Sequence, residues 1–285
     1  MHKHYLTLIS FCLFVQISFV PVSGTGTYVF AQTNTSGENT KKPLELIKSD
    51  FNTAVDDGVK LAKAPFHFDG RDWLTFGGVV GTTALAFTVD EDVRDFMHRN
   101  HTDFLDNYTV IGRQYGEVVT AGLISGVVYL GGLAAGSTDV RETGRMMIET
   151  LAYAGIVTTV LKSALGRSRP YLNEGAFKFR GLQFKNEHIS LPSGHSTVAF
   201  AMSSVLAARI NNTYASIGLY SLAAFTAFQR MYDDKHWLSD TILGAAIGHF
   251  IGQAIVSYGS KDNSGISMHL QPSVSPYGFA VIIPL

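Results

Sequence analysis

Three short polar clusters interrupt an otherwise apolar chain of 285 residues, and their residue types are those of anion chemistry. The first is Lys162-Ser163-Ala164-Leu165-Gly166-Arg167-Ser168-Arg169-Pro170. Lys162 and Arg169 stand two helical turns apart, so a continuing helix would project both cations from nearly one face as an anion clamp, although Pro170 disfavours helix at Arg169. A solvated basic helix end is the competing reading. The second cluster, Pro192-Ser193-Gly194-His195, leads into a helix opening at Ser196-Thr197-Val198. Helix N-termini present unpaired N–H groups and a partial positive charge, which places Ser193 and Gly194 to hold phosphate oxygens, with His195 beside the anion. Ordinary N-capping by Ser193, with a surface histidine, is the alternative.

The third cluster runs Arg230-Met231-Tyr232-Asp233-Asp234-Lys235-His236-Trp237-Leu238-Ser239-Asp240. A helix beginning near His236 puts Asp240 one turn along the same face, where its carboxylate can accept a hydrogen bond from the imidazole. That bond would fix the tautomer and leave the other ring nitrogen as a nucleophile. The same spacing also suits a His/Asp metal pair. Three cations would crowd such an ion and no further carboxylate cluster accompanies it, so neither metal nor cofactor is expected. Asp233 and Asp234 read as a solvated loop, Glu149 and His249 as paired groups inside apolar helices, and Trp237 as an anchor for the last helix.

The elements that must position these clusters are helices. Hydrophobic residues make up 46% of the chain and charged residues 16%, below the ~25% charge of an ordinary soluble domain. That deficit points to lipid contact or a large core. Uncharged stretches alternate with short charged connectors and predict six helices, at about 73–89, 116–137, 143–165, 194–210, 213–231 and 237–258. Small residues such as Gly244, Ala245 and Gly248 permit close helix approach. Leu44 to Ala64 predicts an amphipathic helix, with Leu46, Phe51, Val55, Val59 and Leu61 near helical spacing. The expected fold class is therefore all-α, a helical bundle with a six-helix core. The uncharged runs 118–138, 210–229 and 241–260 reach the ~20 residues that cross a bilayer, whereas 73–89, 150–161 and 196–208 fall short.

The chain ends read differently. Residues 1–31 form a signal peptide or N-terminal anchor: Lys3 precedes an apolar run from Leu6 to Val22, and Val29-Phe30-Ala31 suits cleavage before Gln32. The sole cysteine, Cys12, lies in that run, so cleavage would leave no thiol for disulfides or nucleophilic chemistry. Residues 32–72 comprise a polar linker and the amphipathic segment, 73–258 the helical core, and 259–285 a tail. Within the tail, the alternation Ile266-Ser267-Met268-His269-Leu270-Gln271 and the turn Ser275-Pro276-Tyr277-Gly278 suggest a short β-like hairpin. The net charge of −1 gives no global attraction for nucleic acid, and no nucleic-acid partner is expected.

Taken together as Lys-x6-Arg-Pro, Pro-Ser-Gly-His and Arg-x5-His-x3-Asp, each at a predicted helix end, the clusters resemble the type 2 phosphatidic acid phosphatase/vanadium haloperoxidase superfamily over roughly Asp72 to Gly259. The resemblance implies that Lys162, Arg169 and Arg230 bind phosphate with Ser193 and the Gly194 amide. It further implies that His236 attacks phosphorus with Asp240 orienting it, and that His195 protonates the leaving oxygen and then activates water. Three cations would stand in for the usual Mg²⁺. The family pattern has Ser before the arginine of the third motif. This chain has Gln229, which could still donate to phosphate.

The implied activity is a metal-independent phosphatase of phosphate monoesters or pyrophosphates, acting on lipids such as phosphatidate, phosphatidylglycerol phosphate, polyprenyl pyrophosphate or lipid A. The alternatives are a soluble periplasmic acid phosphatase for small phosphoesters, a vanadium haloperoxidase, or a non-catalytic membrane scaffold. The expected place is the bacterial cell envelope, membrane-associated, with the site facing the periplasm. The topology conflicts with itself, because a cleaved leader followed by six spanning helices would put the site in the cytoplasm.

Overall fold

A computed structural model of the chain describes residues 43–261. The expected leader, most of the linker and the β-like hairpin lie outside the described residues. Among those described, the chain is all-α, with no strand and one isolated antiparallel bridge between Arg167 and Phe179. The helices are α1 (Pro43–Lys63), α2 (Gly70–Phe87), α3 (Asp90–Arg99), α4 (Asp103–Tyr115), α5 (Val118–Ala134), α6 (Thr138–Leu165), α7 (Gly194–Ile210), α8 (Thr213–Tyr232) and α9 (Leu238–Lys261).

The bundle differs from the expected six-helix core by α3 and α4, which occupy residues that hydropathy alone leaves as connectors. Both are short and polar but keep a helical stripe. In α3, Val93 and Met97 are buried one turn apart, acids fill the first turn and His98 and Arg99 the last, complementing the helix dipole. In α4, Thr102 caps the N-terminus by accepting from Leu105 N, and Thr109 and Gly112 face inward. Helix α6 begins earlier than the apolar run implies, because its first turns carry Asp139, Arg141, Glu142 and Arg145. It stops at Gly166, whose left-handed φ of 62° and N–H bond to Lys162 O terminate the helix. The helix ends at Leu165, in line with the expected end at about 165, and does not continue to Arg169.

Helix α7 is the centre of the bundle, and α9 lies closest against it. Gly244, Gly248 and Gly252 line one face of α9, and a Cβ at these positions would collide with Ser193 O, Thr197 O and Ser204 Oγ respectively. This fourfold spacing is a backbone-contact stripe of small residues. It presses the N-terminus of α7 onto the first turns of α9, joining the second and third polar clusters. Met146, Met147, Ala154, Met202, Val205 and Ile255 fill the core between α6, α7 and α9.

Helix α1 is inside-out for water. Its buried residues are Asp50 and Asp57, which face Arg141 and Arg145, while Leu44, Ile47, Phe51, Val55 and Val59 are exposed. Arg145 also pairs with Glu149, as expected for a charge within an apolar helix. Among the described residues, α6 and Leu238–Gly259 of α9 are long and apolar enough to cross a membrane, and α4 with α5 would make a third span if that pair, bent by 52°, is one unit. The two sets of spans differ. The run expected at 210–229 does not qualify, whereas α6 qualifies because its 28 residues outreach its short uncharged centre.

Candidate active site

Asp240 organises the site. It is fully buried in the first turn of α9, and the two carboxylate oxygens have separate duties. Oδ2 accepts from Trp237 N at 3.0 Å and from Ser190 Oγ, and lies 3.3 Å from His236 Nδ1. Oδ1 accepts from Arg167 Nη1 at 2.6 Å. Helix α9 starts at Leu238, so His236 precedes the helix rather than opening it. The contact survives because Asp240 reaches back to the Trp237 N–H as well as to the imidazole. With Nδ1 turned to the carboxylate, the proton belongs there and Nε2 carries the lone pair. Burial holds the imidazolium of His236 well below the ordinary histidine range, a trend the Asp240 hydrogen bond opposes and Lys162 reinforces. The resting ring is thus neutral, the form that can attack.

Arg167 is the residue that motif reading passed over. Its side chain is completely buried and spans Asp240 on Nη1 and Asp90 of α3 on Nη2, with Nη1 also donating to Ser239 Oγ and Nε to Ala176 O. The guanidinium centre lies 4.1 Å from the Phe87 ring centroid, so the cation is screened from solvent by an aromatic face. Asp90 completes the connection by accepting from Ser239 N and Ser239 Oγ. Arg167 stands in plain view two residues before Arg169, but a sequence does not reveal which of two neighbouring arginines turns inward. Ser190 had no signal beyond proximity to the second cluster.

The remaining expected residues converge on the same pocket. Lys162 leaves the last turn of α6 and donates through Nζ to Ile189 O at 2.8 Å and Ser190 O at 3.2 Å. Gly194 leaves room for it, since a Cβ there would lie 3.7 Å from Lys162 Cε. Arg169 is held by Asn186 through Nε to the backbone oxygen and Nη2 to Oδ1, at 2.8 and 2.6 Å. Burial lowers its pKa, against the pull of Tyr171, Asp240 and Glu187. Arg230 is buried at the end of α8, and its Nε has no hydrogen-bond partner among the described residues. A buried cation with an unused donor calls for an acceptor.

Ser193 is the N-cap of α7, accepting from Ser196 N, and is fully buried. Its hydroxyl also accepts from Ser196 Oγ, so the capping duty that competed with phosphate contact in the sequence is occupied here. His195 sits in the first turn of α7 with Nε2 3.2 Å from Glu117 Oε2. Burial, then Arg230, Lys162, Arg169 and Arg113, depress its pKa to about 3.

Two expectations change. Gln229 is buried and donates Nε2 to Asp233 Oδ2, so its amide serves the end of α8 instead of a phosphate. Asp234 is not a free loop residue, because it takes Arg94 on both oxygens at 2.7 Å. Trp237 does anchor its region, buried and donating to Ser168 O at 3.0 Å.

Residues 144–264 match the model of the PAP2 superfamily, a segment that holds all three clusters. That segment belongs to the PAP2 superfamily. A lipid A 1-phosphatase of Porphyromonas gingivalis is 26% identical over 183 residues, covering 61% of this chain and 36% of that protein. Another, of Rhizobium johnstonii, is 30% identical over 110 residues, or 37% of this chain and 43% of that protein. The chain thus spans less than half the length of these curated relatives. The fold is similar to that of the first transmembrane PAP2-type phosphatidylglycerolphosphate phosphatase from Bacillus subtilis, with a TM-score of 0.50, 17% identity, and coverage of 77% of this chain and 96% of that one. Asp90 and Glu117 lie outside the matched PAP2 segment, yet both touch its polar residues.

Proposed function

We propose that this PAP2 protein is a metal-independent phosphatase of lipid phosphate esters that works through a phosphohistidine on His236. One observation carries the reading: a neutral, carboxylate-backed histidine and a second histidine share the field of Lys162 and Arg169, to which Arg230 adds at the second histidine. Phosphoryl transfer asks mainly for alignment and charge neutralisation, and Lys162, Arg169 and Arg230 supply the latter. His236 Nε2 attacks phosphorus as the bond to the leaving oxygen breaks. The Asp240 carboxylate stabilises the charge that the ring acquires. His195 gives a proton to the leaving oxygen, then removes one from the water that hydrolyses the N–P bond, returning free phosphate and neutral His236.

His195 needs a proton for the first half of this cycle although its surroundings hold the pKa at about 3. A phosphate dianion set among the cations offsets their field, so the substrate itself raises the affinity of His195 for that proton. The acid is armed mainly when a phosphate is present.

The substrate is a phosphate on a membrane amphiphile. The long apolar helices α6 and α9 and the outward apolar stripe of α1 support it, as do relatives named lipid A 1-phosphatases. The site is assigned to the periplasmic face of a bacterial envelope. Purified full-length protein in mixed micelles should release phosphate from lipid A or phosphatidate with kcat/KM at least about tenfold above that for a water-soluble alkyl phosphate, a preference of ~1.4 kcal/mol. Excess EDTA should leave the rate unchanged, and vanadate should inhibit. Equal use of soluble esters would favour the acid phosphatase alternative, and an absolute Mg²⁺ requirement would overturn the three-cation mechanism.

A further inference from the structure

The His236–Asp240 pair has a counterpart across the pocket that the three motifs do not contain. Glu117 stands at the junction of α4 and α5, immediately after Gly116. That junction is packed onto His195: a Cβ on Gly116 would lie 2.8 Å from His195 O and 3.0 Å from His195 Cβ. Only glycine allows the approach, and it delivers Glu117 Oε2 to 3.2 Å from His195 Nε2. The charged groups acting on the imidazole from the surrounding elements are Arg230 of α8, Lys162 of α6, Arg169 of the α6–α7 connection and Arg113 of α4. All are cations. Glu117 is the acidic partner in direct contact with the ring.

We infer that Glu117 is the positioning residue of the general acid, holding His195 by Nε2 so that Nδ1 serves the leaving oxygen, as Asp240 holds His236 by Nδ1 so that Nε2 attacks. The inference rests on the phosphatase reading above. The two histidines are then oriented by carboxylates at opposite nitrogens, which suits one ring to attack and the other to donate. Glu117 favours the imidazolium, and the cations disfavour it. Gly116 belongs to the same device, because any side chain there would push the junction and its carboxylate away from the ring.

The test exploits the leaving group. An alkyl alkoxide must be protonated as it departs, whereas p-nitrophenolate leaves without a proton. Impaired proton donation therefore slows alkyl phosphates selectively. In full-length protein, Glu117→Gln should lower kcat/KM for an alkyl or lipid phosphate about 10- to 100-fold while changing that for p-nitrophenyl phosphate less than about threefold. Glu117→Asp should recover part of the loss. Gly116→Ala should reproduce the Gln pattern in weaker form with a lowered thermal unfolding midpoint, whereas the midpoints of the two Glu117 variants should stay close to wild type. An equal loss on both esters, or no loss on either, overturns the positioning role while leaving the phosphatase reading intact. Wild-type protein inactive on both esters and on lipid phosphates overturns the phosphatase reading itself, and the inference with it.

Discussion

His236→Ala is expected to lower kcat on any phosphate ester by at least about 10⁴-fold, because in the proposed mechanism it removes the atom that receives phosphorus rather than a group that assists it. The fold should survive. Asp240 keeps its bonds from Ser190 Oγ, Trp237 N and Arg167 Nη1, so truncating the imidazole strands no buried carboxylate. The three cations and the first turn of α7 also remain. Inorganic phosphate or vanadate should therefore still bind within roughly tenfold of wild type, giving a variant that holds the anion and does not turn over. Labelled substrate with an alkaline denaturing quench should leave phosphate on wild-type protein and none on the variant. Activity above about one part in a hundred, with no label on the wild-type histidine, would mean that water attacks phosphorus directly, with His236 as another ligand of the anion.

How much of this was legible before the structure follows from what each feature depends on. His236 and Asp240, Lys162 and Arg169, and Ser193 through His195 lie close in sequence, and helix ends bring such short-range groups together with little help from the rest of the chain. Glycine spacing in α9 was equally readable, since Gly244 and Gly248 state directly where another backbone must pass. The groups that were missed depend on distant pairings. Asp90 and Glu117 meet the catalytic cluster only after α2 to α5 have packed, 150 and 78 residues away from Asp240 and His195 respectively. Asp90 opens a short polar helix, and Glu117 lies at the junction of α4 and the apolar α5, so hydropathy gave no reason to place either near a site. The same limit explains Gln229: its position suggested the phosphate, while the nearer Asp233 one turn on claims its donor.

Arg167→Met is expected to destabilise the fold by roughly 3–5 kcal/mol, the cost of removing one member of a buried ion pair. The arginine is completely buried between Asp90 and Asp240, so methionine of similar length fills the space beside Phe87 but leaves two carboxylates without their cation. Burial already raises the pKa of Asp90, and Arg167 is the main force opposing that rise. Without it the folded-state pKa climbs further above the unfolded value of ~3.9. A group raised in the folded state contributes its stability at low pH and loses it as pH rises through the folded pKa. The stability deficit of Arg167→Met should accordingly widen between pH 5 and pH 8, by about 1.4 kcal/mol for each unit by which that pKa exceeds 5. Chemical unfolding of the detergent-solubilised protein at the two pH values measures it. Adding Asp90→Asn removes the titrating group, so the double variant should lose most of the pH dependence while remaining impaired through Asp240. A deficit independent of pH would show that Arg167 acts by packing against Phe87 and Phe179 instead of by charge. In the proposed mechanism the coupling bears on catalysis as well as stability. Asp90 belongs to α3, outside the segment shared with the family, and through Arg167 it fixes one oxygen of the carboxylate whose other oxygen orients His236. The N-terminal helices are thereby made part of the site's alignment.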